Sequence, residues 1–372
     1  MSKYKWLVMA VIVFLIPLYG SSQNLKEKEM GAENTVIAEG ESYMDGQRHG
    51  YWILYTNDQK KEYEGTYTKG LKTGNWKHYD PATGNMIEDV NYKNDTTHGP
   101  YKSFYASGKK AEEGKFINGL QEGDWKLYHD GAENNLQAEG SFAGGKKNGL
   151  WTFYHDVKGK VVKERGNFKE DARDGDWKLY FSNGKSSIQA EGPYTLGHKN
   201  GVWVFYHEEP NTVMYRVNII ADMEEDTFTS YYPSGRVREK GFFVHGGLHG
   251  LYEEFYESGK MKQEGAYIYG IKNDEWKFYY ETGILKMRGS YYDSKANGIW
   301  AYYHENGSLD YEVEYKNGRI NGNYTEYFFN GKIRTKGKMV DGKKDGEWPV
   351  YDVTGNINSI EVYSNGVLTE TK

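Results

Sequence analysis

The sequence predicts an all-β chain, an elongated antiparallel array of β-hairpins, from three observations. First, its 372 residues include 46 glycines but only 7 prolines, without a collagen-like triplet, which favours turns. Second, aromatic residues make up 16% of the chain while all hydrophobic types reach only 37%, so Val, Ile and Leu are too few for a parallel α/β core. Third, a repeat of 24–26 residues runs through the chain after its first segment.

Charge and cysteine content exclude several kinds of function. The chain has 47 Lys and Arg against 53 Asp and Glu, so its net charge of −6 does not recruit nucleic acid. It contains no cysteine, which excludes disulfides, thiolate metal sites, cysteine nucleophiles and a lipidated N-terminal cysteine. We therefore expect no nucleic-acid partner.

The first segment has the order of an export signal. Lys3 and Lys5 precede an apolar run from Trp6 to Leu18, and the small residues of 20–22 follow it. The run of about 13 residues is short of the ~20 that cross a bilayer. We interpret residues 1–22 as a signal peptide and expect an exported protein, periplasmic, cell-surface or secreted; an uncleaved membrane anchor is the alternative, because the cut cannot be read from the sequence.

The repeat has two landmarks. The first is Gly-x-Trp-x-x-Tyr, and its tryptophan position is here called the anchor. The second is Glu-Gly-x-Tyr/Phe, and its glycine is here called the strand glycine.

From Gly65 onward the distance along the chain from a strand glycine to the next anchor is the same in every repeat, as in Gly192 to Trp203, and it is here called the constant interval. The distance from an anchor to the next strand glycine varies, so all length variation lies in one loop. Tryptophan occupies nine of the 13 anchors, namely Trp52, Trp76, Trp125, Trp151, Trp177, Trp203, Trp276, Trp300 and Trp348, and the other four are Tyr101, Phe228, Tyr252 and Tyr324.

The variable loop is predicted to be a two-residue type I′ hairpin turn. Asn306-Gly307 and similar pairs lie midway between the landmarks, and Asn-Gly favours that turn because both residues need positive φ. Folding the chain about Thr282-Gly283 places Trp276 opposite Gly289. We therefore expect each indole to lie over the strand glycine that follows it, and the constant connection to set how one hairpin joins the next.

Period-2 alternation assigns two faces to the sheet. The anchor, the second residue after it, the strand glycine and the aromatic residue two past that glycine share the predicted core face. The third residue after the anchor lies on the other, polar face and is aromatic in all 13 repeats. This tyrosine stripe is the best candidate for a binding surface. Packing is the favoured interpretation, because a single-layer sheet needs aromatic ladders on both faces to be stable. The candidate binding residues are Tyr128, Tyr154, Tyr180, Tyr206, Tyr279 and Tyr303.

No motif predicts catalysis or a metal site. The chain has no Gly-x-Ser-x-Gly elbow. His129, His155, His207 and His304 all occupy the fourth position after an anchor, but equivalent positions of adjacent repeats lie two strands apart, about 10 Å, too far to share one ion. We therefore expect a protein that is not an enzyme and that uses no cofactor and no metal.

The landmarks resemble the MORN repeat, and more closely its bacterial variant, as in "EGTYTKGLKTGNW" from Glu64 to Trp76. The resemblance covers residues 37–366, leaving 23–36 as an N-terminal linker and 367–372 as a C-terminal tail. It implies an antiparallel meander of hairpins used for protein or lipid contacts, without catalysis of its own. Some bacterial members are antitoxin-like, a label that fits a signal-bearing chain poorly. The chain departs from the pattern at the strand-glycine position with Val90, Val217, Val313 and Glu361.

These observations favour an exported, non-enzymatic scaffold that binds an unknown protein partner. A carbohydrate- or lipid-binding module at the cell envelope is the first alternative, because regularly spaced aromatic rings also stack on sugars. An antitoxin-like inhibitor is the second.

Overall fold

A computed structural model of the protein describes residues 26–131 and 133–372. The predicted signal peptide, residues 1–22, lies outside the described residues. The chain divides into two compact units, residues 1–172 and 173–372, and each is considered separately. The described residues form strands, apart from turns and one 3₁₀ helix, Ala32–Asn34. None of the described helical structure is long and apolar enough to cross a membrane.

In the first unit the strands pair antiparallel in chain order, which makes a meander; where one strand is interrupted, both of its pieces pair with the same preceding strand. Its strands are β1 (Glu27–Met30), β2 (Val36–Met44), β3 (Gln47–Tyr55), β4 (Lys61–Thr68), β5 (Leu71–Tyr79), β6 (Met86–Lys93), β7 (Thr96–Phe104), β8 (Lys110–Ile117), β9 (Leu120–Gln121), β10 (Gly123–Tyr128), β11 (Leu136–Ala143), β12 (Lys146–Tyr154) and β13 (Val162–Lys169).

The second unit repeats the same antiparallel meander. Its strands are β14 (Ala172–Tyr180), whose first residue closes the first unit, β15 (Ile188–Thr195), β16 (His198–Lys199), β17 (Gly201–Tyr206), β18 (Val213–Ile220), β19 (Met223–Tyr231), β20 (Val237–Val244), β21 (Gly247–Leu248), β22 (Gly250–Phe255), β23 (Met261–Ile268), β24 (Ile271–Tyr279), β25 (Leu285–Tyr292), β26 (Lys295–Tyr303), β27 (Leu309–Lys316), β28 (Arg319–Tyr327), β29 (Ile333–Val340), β30 (Lys343–Tyr351), β31 (Ile357–Ser364) and β32 (Val367–Thr371).

The predicted all-β class and the array of antiparallel hairpins are confirmed in each unit. Strand pairing also extends into both flanking segments. Strand β1 lies within residues 23–36, predicted as a linker, and pairs with β2. Strand β32 lies within residues 367–372, predicted as a tail, and pairs with β31.

The type I′ turns lie in the constant connection, not in the variable loop where the sequence analysis placed them. Asn118 and Gly119, between β8 and β9, have φ of 50° and 84°, and both residues of a type I′ turn need positive φ. In most variable loops a single residue has positive φ, as with Gly283 at 90°. The Gly283 N–H donates to Tyr280 O and the Tyr280 N–H to Ile284 O, both at 2.8 Å. This is a three-residue loop closed by a glycine bulge.

The register across the variable loop is as predicted at the anchor, since Trp276 lies opposite Gly289. Nearer the loop a β-bulge follows Phe278, so that Tyr279 pairs with Leu285. The loop has one residue more than a two-residue turn, and the bulge offsets this extra residue, so the register at the anchor is unchanged.

In eight repeats the indole covers the strand glycine that precedes it, which corrects the prediction that it covers the one that follows. A Cβ added to Gly265 would lie 2.2 Å from Cδ2 of Trp276, the next anchor along the chain. Gly289 is instead covered by Trp300, with the same 2.2 Å approach. The constant interval therefore holds an indole and its glycine on the two strands of one type I′ hairpin. The nine tryptophan anchors are at most 3% exposed.

A cation covers the indole in seven repeats. The basic residue four positions before the anchor places its charge 3.8–5.2 Å from the ring centroid, and Lys272 over Trp276 is the closest case. Burial lowers the pKa of Lys272, and cation–π attraction favours its position over the ring. The seven residues are Arg48, Lys72, Lys147, Arg173, Lys199, Lys272 and Lys344.

The departures from the repeat pattern are coupled in space. Val90 lies opposite Tyr101, Val217 opposite Phe228, and Val313 opposite Tyr324. Each valine stands where tryptophan-anchored repeats have the strand glycine, and each is buried. A single six-membered ring leaves room for the valine methyl groups that an indole would displace. A larger residue at the strand-glycine position is therefore compensated by a smaller ring at the anchor of the same hairpin.

Candidate functional site

The face opposite the indoles, here called the tyrosine face, carries the six predicted binding residues. The alternation of β-strands places the third residue after each anchor on this face. Tyr154 is buried and Tyr128, Tyr180, Tyr206, Tyr279 and Tyr303 are half-buried. The tyrosine rings therefore present only part of their surface to a ligand.

Most stripe hydroxyls bind a glutamate of the preceding strand. The acceptor is the residue before the strand glycine, as in the 2.6 Å bond from the Tyr206 hydroxyl to Glu191 Oε1. The glutamate and the tyrosine are held on the same face because each lies one or three residues from a position on the indole face. The seven pairs have O···O distances of 2.5–2.9 Å and join Tyr55 to Glu39, Tyr79 to Glu64, Tyr128 to Glu113, Tyr154 to Glu139, Tyr206 to Glu191, Tyr279 to Glu264 and Tyr327 to Glu312.

These hydrogen bonds change the acidity of both partners. Burial first, and then the hydrogen bond to Glu191, raises the pKa of Tyr206 to about 12. The Tyr206 hydroxyl in turn is the largest cause of the lowered pKa of Glu191, with Lys178 contributing a further hydrogen bond. Tyr206 is thus kept protonated and Glu191 ionised near neutral pH, which makes this pair a charge-assisted hydrogen bond.

The stripe is not uniform. In the repeat of Tyr303 the position of the glutamate is taken by Arg288, which lies opposite Ala301. The hydroxyl of Tyr303 has no hydrogen-bond partner among the described residues, although its backbone carbonyl accepts a bond from the Tyr280 hydroxyl. Tyr180 lies opposite Ile188 on β15.

The fourth residue after the anchor links successive repeats. The Tyr256 hydroxyl donates to the carbonyl of Tyr279, in the next repeat, at 2.8 Å. Tyr105, Tyr232 and Tyr280 make equivalent bonds at 2.6–2.8 Å. His207 occupies the same position and its Nε2 lies 3.0 Å from the carbonyl of Tyr231. This histidine therefore has a structural contact, and residues 26–131 and 133–372 contain no cluster of metal-ligating side chains.

Sequence reasoning missed the apolar residues that are exposed on the tyrosine face. Leu150 in the first unit, and Val202, Leu251 and Ile299 in the second, each directly precede an anchor and are 46–64% exposed. In the second unit the intervening repeats carry Thr227 and Glu275 there. The signal was present as a two-repeat period at one position, but it becomes visible only when the repeats are aligned by their anchors.

An open groove of about 800 Å³ lies on the tyrosine face of the first unit. Its lining is mixed: Lys115, Lys126 and Arg165 supply positive charge, and Asp124 and Glu139 supply negative charge. Pro100, Leu150 and Thr152 complete much of the wall. The groove can therefore accept a polar ligand or an extended segment of a protein.

Comparison with solved structures gives only remote likenesses. The crystal structure of TcdB2-TccC3 has a TM-score of 0.18 and 12% identity, and covers 91% of this chain and 20% of that chain. The Tc holotoxin pore of Photorhabdus luminescens has a TM-score of 0.15 and 9% identity, with 91% and 21% covered. The chain thus spans about a fifth of the length of these structures, and TM-scores this low support no argument. No curated protein matches the chain.

Comparison with protein families gives a direct result. The MORN repeat variant matches four segments, residues 97–118, 248–269, 275–292 and 296–317. Each segment begins one to four residues before an anchor and runs across a variable loop to beyond the next strand-glycine position, which is Val313 in the last segment. MORN repeats generally serve as modules for interaction with proteins or membranes. Both units of the hairpin array therefore contain segments similar to the MORN repeat variant, one in the first unit and three in the second.

Proposed function

We propose that the chain is an exported, non-enzymatic scaffold that binds a partner protein through its tyrosine face. The observation that carries the proposal is the set of exposed aliphatic side chains on that face, Val202, Leu251 and Ile299 in the second unit. Export rests on the pattern of residues 1–22. The protein-interaction role of MORN repeats supports a protein partner.

The energetic argument follows from the exposure of these side chains. Burying one aliphatic side chain fully is worth about 1.5–3 kcal/mol, so three of them can supply the core of an interface. Each has a polar neighbour on the same face: Val202 pairs with Asn218, Ile299 pairs with Glu314, and Leu251 lies two residues before Glu253. An apolar centre with a polar rim is the arrangement of a specific protein interface.

The half-buried tyrosines form a rigid surface beneath this interface. The hydroxyls of Tyr206 and Tyr279 are already bound to glutamates, so a partner contacts ring edges whose side chains are already ordered. On this view the stripe supports the binding surface, and the residues before the anchors provide its specific contacts.

The test is a pull-down from the native host with the chain from residue 23 onward. We expect the double variant Leu251→Ser and Ile299→Ser to lose the partner that the unaltered chain retains. Glu275→Ser is the matched control, because it changes the same repeat position without removing apolar surface, and it should retain the partner. Equal recovery by the double variant would contradict the proposed surface, and recovery of a tagged full-length chain in the cytoplasm would contradict export.

A second candidate, carbohydrate binding, is favoured by the groove of the first unit. Its lining combines charged side chains with the hydroxyl groups of Ser141 and Thr152. A glycan array probed with the chain from residue 23 onward tests it: specific binding that is lost on Lys126→Ala would support carbohydrate binding over a protein scaffold.

A further inference from the structure

Four consecutive type I′ turns of the second unit have unsuitable residues at their first position. That position needs positive φ, which glycine, asparagine and aspartate adopt most readily. It is held by Leu196 at 51°, Ala221 at 49°, His245 at 50° and Tyr269 at 49°. In the next turn along the chain the position returns to Asp293. Local turn chemistry does not explain this cluster, and strain that accumulates in one place points to function.

The same turns expose large apolar side chains. Leu196 is 76% exposed and Tyr269 is 62% exposed, although the Tyr269 ring lies 4.8 Å from that of His249. Four further exposed residues flank these turns or the next one, and together the six form what we call the turn strip. The turn strip consists of Leu196, Ile220, Met223, Ile268, Tyr269 and Tyr292.

The spacing of the turn strip matches an α-helix. Successive turns lie two strands apart, about 9.6 Å, and five turns therefore extend over about 38 Å. Two turns of an α-helix rise by about 10.8 Å, so a helix with apolar residues every seven positions can meet each turn in succession. Between two of the turns, Ile268, Ile271 and Tyr292 line a shallow pocket of about 280 Å³ that can receive one such side chain.

The charge around the turn strip selects a basic partner. Asp222, Asp226, Asp274 and Asp293 are exposed beside it. Lys295 is the exposed lysine of the last turn, and its Nζ already lies 3.9 Å from Asp293. Lys199 and Lys272 point away, because their ammonium groups lie over the rings of Trp203 and Trp276.

We propose that the turn strip binds a basic amphipathic α-helix of a partner protein. The proposal rests on the proposed scaffold function and assigns it a second contact and a partner chemistry. An anionic membrane is the poorer occupant, since the exposed aspartates would repel it, whereas a helix rich in lysine and arginine gains charge complementarity along with apolar contact.

The test uses a fluorescein-labelled synthetic helix of about 26 residues, enough to extend over the strip, with leucine at the apolar heptad positions and lysine elsewhere. Binding to the full chain is followed by fluorescence anisotropy at low salt. We expect the double variant Leu196→Asn and Tyr269→Asn to bind at least ten-fold more weakly. Asparagine suits the turn, so the variant should fold at least as well as the unaltered chain, and both chains have the same charge.

Ala221→Asn is the matched control, because it makes the same turn substitution within the region without removing a large apolar side chain, and its affinity should not change. A peptide with glutamate in place of lysine should bind at least ten-fold more weakly. Equal affinity of the double variant and the unaltered chain would overturn the proposal. So would flotation of the chain with phosphatidylserine vesicles that is abolished by the double variant, since that result assigns the strip to a membrane.

Repeating the host pull-down with the same variants separates the two proposals. A partner retained by the Leu196→Asn and Tyr269→Asn variant but lost by the Leu251→Ser and Ile299→Ser variant would overturn the turn-strip contact and leave the scaffold intact. Recovery of no protein by any variant, with the synthetic helix still bound, would contradict the scaffold alone.

Discussion

A missing Cβ is what allows each indole to lie flat on its neighbouring strand. Gly265 has an ordinary extended conformation, so glycine is required there for space and not for backbone freedom. A Cβ at this position would lie 2.2 Å from the Trp276 ring. Where the ring is smaller, as with Phe228, the chain places Val217 opposite it. Side-chain volume is thus conserved between the two positions that the constant interval separates.

We predict that Gly265→Val lowers the free energy of unfolding by about 1–3 kcal/mol, because it overpacks the hairpin. Adding Trp276→Phe, which reproduces the Val217 and Phe228 pair, should recover at least half of the loss. Urea denaturation followed by tryptophan fluorescence and circular dichroism measures both values. A double variant that is less stable than the sum of the two single variants would contradict this coupling.

The pairing of indole and glycine was predictable, but the direction in which the ring leans was not. Trp276 lies opposite Gly289, yet its ring covers Gly265 on the other neighbouring strand. Register fixes the neighbours of an anchor but leaves its rotamer open. The valine substitutions, always one constant interval before a smaller ring, were the signal that could have decided between the two glycines.

We predict that Tyr206→Phe destabilises the protein by about 1 kcal/mol at pH 7 by removing the hydrogen bond to Glu191. The pKa of Glu191 is lowered on folding, so this stabilisation is complete above pH 4.5 and is lost as the pH falls below that value. The pKa of Tyr206 is raised to about 12, so the stabilisation is complete below pH 10 and is lost as the pH rises towards 12.

Thermal unfolding of the two chains from pH 3 to pH 11 measures this difference. Tyr303→Phe is the control, since Arg288 replaces the glutamate in that repeat, and it should be nearly neutral. A Tyr206→Phe effect that stays constant across the whole pH range would show that the hydroxyl does not act through Glu191.

At the scale of the element, the two connections of the repeat differ in what they require of the chain. The constant connection is a two-residue turn, and the variable loop is a three-residue turn with a compensating bulge. The sequence analysis could not separate them, because Asn-Gly occurs in both, as Asn118-Gly119 and as Asn306-Gly307. The extra loop residue and the bulge also leave the register at the anchor unchanged.

The glycine two residues before the anchor is a requirement of the backbone. Gly298 has φ of 76° and no atom within 4 Å of where a Cβ would stand. We therefore predict that Gly298→Ala costs about 1–2 kcal/mol through conformation alone. Gly298→Asn should cost less, because asparagine tolerates positive φ, as Asp274 does at 58° in the equivalent position. Equal losses for alanine and asparagine, measured by thermal unfolding, would indicate a steric cause instead.

At the scale of the whole molecule, stability is local. Within each unit, packing joins strands that are adjacent in sequence or that flank one short strand. Nearest-neighbour coupling of this kind lets one part of a repeat array open without the rest.

We predict that Gly65→Val accelerates amide hydrogen exchange in β3–β6 while β24–β30 keep the exchange rates of the unaltered chain. Mass spectrometry of peptic fragments measures both regions in one experiment. Gly337→Val is the reciprocal control, and it should affect β28–β31 and leave β3–β6 unchanged. A uniform loss of protection with either variant would show that the array unfolds as one cooperative body.

The sequence indicated the architecture well and the interaction surface poorly, for a physical reason. Glycine, tryptophan and turn residues act through local geometry, which every repeat copies. Exposed residues such as Leu251 and Leu196 are under no such constraint, so no single repeat marks them; Leu251 and its equivalents stand out only when the repeats are aligned by their anchors.

The indole and the glycine it covers belong to the same type I′ hairpin, so the smallest block that is complete in itself runs from one variable loop to the next. A gene duplication whose ends fall in those loops adds a complete hairpin and leaves every indole paired with the strand glycine that it covers. A duplication whose ends fall in the type I′ turn places an indole over a strand glycine from a different repeat. Growth or shortening of such an array should therefore proceed by cuts at the variable loops, which are also the places where repeat lengths already differ.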